Sequence, residues 1–355
     1  MADHPYRTLP DSAYWRRSVV AEGAEVDLIV GPFVTIGRDD KVATAGSCFA
    51  QHVARHLAAS GFAYLVTESA HPILPAAAAR AAGYGVYSAR YGNIYTTLQL
   101  VQLFDRAYGR FEPAEDIWVA LDGIGVVDPF RPTIQPGGFA SEAEMRADRA
   151  QHLARVREMF ETLDVLVFTL GLTETWLSRA DGAAFPLCPG VAGGRFDPAA
   201  HEFRNLRTTE VRQQIEAFVT RLRGVNPSAR IILTVSPVPL AATASGNHVL
   251  PATIYSKSAL RVAAQEAAED LEGVFYFPSY EIVTGPQARG RFFADDLREV
   301  TEEGVEQVMR VFLNHATGDA PAPAAPAVDA EDRHDARVSR WVETLCDEAL
   351  LDGQD

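Results

Sequence analysis

The chain has 355 residues, is 47% hydrophobic and carries a formal net charge of −15, so it can bury a substantial core and reads as one elaborated domain rather than several small ones. No Lys/Arg cluster offsets the acidic balance, which argues against nucleic acid or an anionic membrane surface as partner. The segment after Met1 has no basic stretch followed by an apolar run, and nothing resembles a spanning segment of about 20 apolar residues, so the expected location is cytoplasmic.

Residues 1–35 read as an N-terminal extension, with Trp15, Val19, Val20 and Ile29 as candidate anchors. Val42 to Ala45 then form a short apolar run, and Ala50, Val53, Ala54 and Leu57 recur at helical spacing, which predicts a buried strand followed by an amphipathic helix. Gly46-Ser47-Cys48 falls in the turn between them. A hydroxyl at such a junction projects from the carboxyl edge of a sheet, where free helix amides can receive an oxyanion. Serine is also a favoured helix N-cap, and both readings of Ser47 stand at this point. Cys48 is an alternative nucleophile, since a helix N-terminus lowers a thiol pKa; His52 and His56 read as a solvated helical face. The cysteines at 48, 188 and 346 are odd in number and scattered, which predicts free thiols and no zinc spacing.

Tyr64 to Val66 reads as a second short strand. An insertion over about 84–140 follows, with a helix through Leu98 and Asp105, a hairpin over 118–127 and irregular chain over 129–138, expected to cover the sheet edge. Leu153, Val156, Phe160 and Leu163 mark the next helix and Val165 to Leu170 a continuous apolar strand. The order repeats: a helical stripe at Val211, Ile215, Phe218, Val219 and Leu222, an Asn226-Pro227 turn, a strand over 231–235, a helix over 260–271 and a strand over 274–277. Such alternation predicts a parallel sheet with helices on both faces. Thr301 is the expected cap of the last core helix. Residues 317–333 have linker composition, and Val338, Trp341, Val342, Leu345 and Ala349 fit a helix within a 334–355 tail that docks on its own protein or on a partner.

A parallel sheet presents its catalytic loops at the carboxyl ends of its strands. Those loops hold Gly46 to Ala50, Phe168 to Glu174, Ser236-Pro237-Val238 and Tyr276 to Glu281, and Tyr255 to Ser258 lies between the last two. With these motifs, in this order, the chain from about Ile36 to Phe312 resembles the GSCFA family, a branch of the SGNH/GDSL hydrolase superfamily. The resemblance implies an SGNH-hydrolase-like, flavodoxin-like three-layer α/β fold spanning 36–316. It places the nucleophile on Ser47, with that residue's own amide helping to form the oxyanion hole beside Gly46 and Cys48. The superfamily's Gly-x-Asn-Asp block is here Gly171-Leu172-Thr173-Glu174, which leaves the Thr173 hydroxyl or the Asn93 amide as donor. Its Asp-x-x-His block is here Asp296-Leu297-Arg298-Glu299, so Glu299 stands where histidine is expected, and His248 is the other candidate base.

The implied activity is ester hydrolysis or O-acyl transfer of a small acyl group, acetyl above all, on a carbohydrate or glycan. That chemistry requires neither metal nor organic cofactor. The alternative is a catalytically silent binding or scaffold protein that has lost its imidazole at position 299.

Overall fold

In the computed structural model the described residues are 4–316 and 347–351. In chain order the helices are α1 (Val19–Glu22), α2 (Phe49–Ala59), α3 (Ala76–Ala81), α4 (Thr97–Ala107), α5 (Glu142–Thr162), α6 (Thr208–Arg223), α7 (Val249–Asp270), α8 (Ser279–Thr284) and α9 (Glu302–Ala316). The strands are β1 (Val42–Gly46), β2 (Trp118–Val119), β3 (Val126–Val127), β4 (Val165–Leu170), β5 (Glu174–Ser178), β6 (Ala184–Phe185), β7 (His201–Asn205), β8 (Arg230–Val235) and β9 (Val274–Phe277).

The central sheet has the order β1-β4-β8-β9 and every pairing is parallel. Successive side chains of a strand point to opposite faces, and here that alternation separates two cores. Ala43 and Ala45 of β1, Leu166, Phe168 and Leu170 of β4, and Ile231, Leu233 and Val235 of β8 pack with helices α4 to α7. Val42, Val165, Val167 and Ile232 face the other way, onto α2, α8 and α9. The result is the expected three-layer α/β fold with a flavodoxin-like arrangement.

Caps set several boundaries. Thr96 and Gln99 form a reciprocal capping box at the start of α4, Ser141 accepts from Glu144 N to start α5, and Thr301 Oγ1 accepts from Gly304 N ahead of α9. Each satisfies a helix-terminal amide that would otherwise lack a partner. The expected hairpin is β2 with β3. Elements not anticipated are β5, β6 and β7, which build a separate antiparallel sheet in the order β6-β5-β7.

The structure corrects the reading of Tyr64 to Val66 as a strand: only a single bridge, Val42 to Tyr64, joins it to β1. Beyond that bridge side chains meet the outer edge of β1 at Thr44, with Thr44 N donating to Ser88 Oγ and Thr44 Oγ1 bonded to the Tyr64 hydroxyl. The N-terminal anchors also differ. Ile29 packs as expected against the α9 side of the sheet, where Val34 and Ile36 are buried, but Trp15 and Val20 are exposed. No helix among the described residues is long and apolar enough to cross a membrane. The 317–333 linker and the tail apart from residues 347–351, with the expected helix positions Val338, Trp341, Val342 and Leu345, lie outside the described residues; residues 347–351 form a 3-10 turn.

Candidate active site

Gly46 ends β1 with φ +134°, a conformation that side chains other than glycine's rarely adopt. A Cβ there would lie 2.3 Å from the Thr169 carbonyl oxygen, so β1 can approach β4 this closely only through glycine. Ser47 follows, bridging the strand to α2, and is 3% exposed. Its Oγ is sealed from solvent and makes no hydrogen bond to any described residue. Its amide is not free, because Ser47 N donates to Thr169 O at 3.3 Å; the sheet has taken the group that the family resemblance offered to an oxyanion.

Two other segments close around the serine. Ile94 N donates to Gly46 O at 2.8 Å, and the N–H groups of Gly171 and Leu172 both donate to Tyr95 O. Gly171 packs so tightly that a Cβ on it would stand 3.0 Å from Ser47 Cβ. Gly46, Ser47, Cys48, Asn93 and Gly171 are thus brought together at the carboxyl ends of β1 and β4.

Asn93 is buried and both ends of its amide are engaged. Its Oδ1 accepts from the Tyr87 hydroxyl, itself held by Gln51 Nε2. Its Nδ2 donates to Asp347 Oδ2 at 2.8 Å, and Thr133 Oγ1 donates to the other carboxylate oxygen at 2.7 Å. Burial pushes the Asp347 carboxyl above its usual range. Cys48 is disulfide-bonded, which corrects the expectation of a free thiol there; Cys188 is free and burial raises its pKa to about 11, while Cys346 lies outside the described residues.

The remaining sequence-derived candidates sit elsewhere. Thr173 is fully buried and its hydroxyl donates to Asn205 Oδ1, while its amide donates to Ser256 Oγ. Glu174 holds the loop before α7, accepting from Thr243 Oγ1 and Ala244 N, and burial raises its pKa. His248 is the exposed N-cap of α7, its ring accepting from Leu250 N. Asp296 and Glu299 are exposed, and Asp296 Oδ1 folds its own turn by accepting from the N–H groups of Arg298 and Glu299. None of these side chains hydrogen-bonds Ser47 Oγ. His52 is not on a solvated face. It is half-buried, its Nδ1 lies 2.7 Å from Arg55 Nη2, and burial with the neighbouring Arg55 and His56 lowers its pKa to about 3.

One residue at the site carried no role in the sequence reading. Lys257 of α7 is 1% exposed and its Nζ donates to Gly171 O at 2.7 Å, fixing the peptide that packs on Ser47. A lysine on the buried, Ala-rich side of α7, beside Ala263, Ala264 and Ala267, was the available signal, because buried lysines are rare unless engaged.

The insertion, α5 and Glu68 together supply a second polar assembly behind Asn93. Asp128 accepts from Arg131 and Arg149, Asp148 pairs with Arg90 and Arg131, and Glu68 bonds His152 Nδ1 at 2.8 Å. Glu68 is lowered to about 2, its burial being outweighed by His152 and the Arg90 amide, and burial together with Arg131 lowers His152 to about 4.

Among comparisons with known proteins, the model of the GSCFA family matches residues 41–312. None of the curated proteins matches the chain.

Proposed function

Since the chain belongs to the GSCFA family, and since its Ser47 hydroxyl waits buried and unbonded where a strand gives way to a helix, we propose that Ser47 is the nucleophile of an SGNH-type acyl-ester enzyme. The observation that carries the reading is that hydroxyl. A buried hydroxyl without a partner is costly to a fold, and such costs concentrate at functional sites. The acyl group is small, acetyl being the proposed case, and is carried on a carbohydrate or glycan. Water as acceptor makes the protein an esterase; a sugar hydroxyl makes it an O-acyltransferase.

Attack by Ser47 Oγ on the ester carbonyl requires a base to take its proton and donors to receive the oxyanion. Glu299 and His248 remain the proposed bases and must approach Ser47 when substrate binds. Asn93 is the proposed oxyanion donor, through the amide whose orientation its bond to Asp347 sets. The cytoplasmic location is in tension with the Cys48 disulfide, since such bonds persist in oxidising compartments.

The second reading, a silent binding or scaffold protein, is favoured by the lack of any bond from a histidine or carboxylate among the described residues to Ser47 Oγ. Labelling by a serine-directed fluorophosphonate, with and without Ser47→Ala, separates the two. Loss of labelling in Ser47→Ala supports the enzyme; wild-type labelling no higher than the variant's supports the binding protein. Hydrolysis of p-nitrophenyl acetate by Glu299→Gln and His248→Ala then identifies the base.

A further inference from the structure

Arg106, on the inner face of α4, is 9% exposed. Its guanidinium stacks on Phe130, 3.8 Å from the ring centroid, and makes no hydrogen bond or ion pair with any described residue. The neighbouring carboxylates are already committed. Asp128 is held between Arg131 and Arg149, Asp148 between Arg90 and Arg131, and Asp116 between Arg146 and Arg149. Arg106 therefore adds a cation to the assembly without a paired carboxylate, and a buried charge in that state is strongly disfavoured unless something compensates it.

The guanidinium borders a small cavity whose wall also includes Arg131, Gln99, Gln102 and Asn93. We propose that this cavity binds the carboxylate of a small aliphatic acid, with Arg106 as its counter-charge. Stacking on Phe130 leaves the edge of the guanidinium available, and that edge is the planar donor fork that matches the two oxygens of a carboxylate. One unpaired cation calls for a monoanion, and a cavity this small excludes a sugar ring. Next door, the Asp347 carboxylate is seated on Asn93, which also lines the cavity, and on Thr133. A short-chain acid is also the product class of the proposed ester hydrolysis; that link rests on the reading of Ser47, whereas the binding does not.

The test is equilibrium binding to the full chain carrying Ser47→Ala, so that turnover plays no part. Thermal unfolding and calorimetric titration are run with sodium acetate, sodium formate, sodium phosphate and neutral acetamide at constant ionic strength. The expected result is a saturable rise in Tm with acetate and formate and none with acetamide. Arg106→Gln should weaken acetate binding by about tenfold or more, and Arg106→Lys, which keeps the charge but not the fork, should weaken it less. Unfolding without ligand verifies that each variant folds, and Arg106→Lys alone carries the comparison if Arg106→Gln does not. Equal binding by wild type and variants, an equal response to acetate and acetamide, binding of phosphate in place of acetate, or no saturable response overturns the proposal. Absence of esterase activity in the wild type, with acetate binding intact, counts against the reading of Ser47 only.

Discussion

Asn93 and Asp347 stand 254 positions apart in the chain, yet the amide of one donates to the carboxylate of the other at 2.8 Å. The contact joins the tail to the segment whose next residue, Ile94, bonds the backbone of Gly46. Asp347 holds one of the two Asn93 N–H groups and so fixes the amide's orientation, which couples the geometry of the proposed oxyanion donor to the tail.

That coupling has a pH dependence of defined sign. Burial raises the folded-state pKa of Asp347, so between its unfolded and folded values the docked carboxyl retains a proton that the free one has lost. Docking therefore weakens as pH rises through that window and levels off above the folded pKa. Hydrogen exchange across 347–351, corrected for intrinsic rates, should be faster at the high end of the window than at the low end. Asp347→Asn, which cannot ionise, should remove the difference.

Ser47→Ala should abolish fluorophosphonate labelling and raise stability by about 1 kcal/mol, because it removes a buried hydroxyl with no described partner. Gly46→Ala should do the opposite at the adjacent position. Its Cβ would meet Thr169 O at 2.3 Å in a positive-φ conformation, at a cost of about 3 kcal/mol. Urea unfolding of both variants measures the contrast. A merely structural serine would leave Ser47→Ala neutral or destabilising.

The layout around Ser47 was legible because local signals agreed there. The all-apolar runs of β4 and β8 and the stripe on α6 announced buried parallel strands and their helices, and Gly46 marked the end of β1. The β6-β5-β7 sheet was not legible, since β7 is His-Glu-Phe-Arg-Asn and β6 is two residues long. Nor was the charge assembly, most of whose pairs form at long range, as between Arg90 and Asp148, 58 positions apart. Tyr64 to Val66 misled for a related reason: apolar content gives strand propensity, but ladder formation depends on whether a neighbouring edge is open.

The buried Glu68 and His152 pair should make the junction between the insertion and α5 acid-labile. Burial, with Arg131, lowers folded His152 to about 4 from an ordinary value of 6.5, so its stabilising contribution is complete above 6.5 and is lost as pH falls towards 4. Glu68, lowered to about 2 from 4.5, extends the loss to lower pH. The histidine's share is about 3 kcal/mol. His152→Gln retains a donor for Glu68 without a titrating ring, and its Tm should be flatter than the wild type's between pH 6.5 and 4.

Lys257 should act on Ser47 through Gly171. Its ammonium holds the Gly171 carbonyl at 2.7 Å, and Gly171 is the residue against which Ser47 Cβ packs. Lys257→Met retains much of the side-chain length and removes the donor, which should cost about 1–3 kcal/mol through the buried carbonyl left unsatisfied. As a positioning residue it should also slow fluorophosphonate labelling of Ser47 in protein verified as folded, by about tenfold if the barrier rises by ~1.4 kcal/mol. Lys257→Arg, which retains a donor, should recover part of that rate. Unchanged labelling in folded Lys257→Met would reduce the lysine to a packing role, whereas slowed labelling with partial recovery in Lys257→Arg identifies the Gly171 peptide as the element that holds the serine in its reactive position.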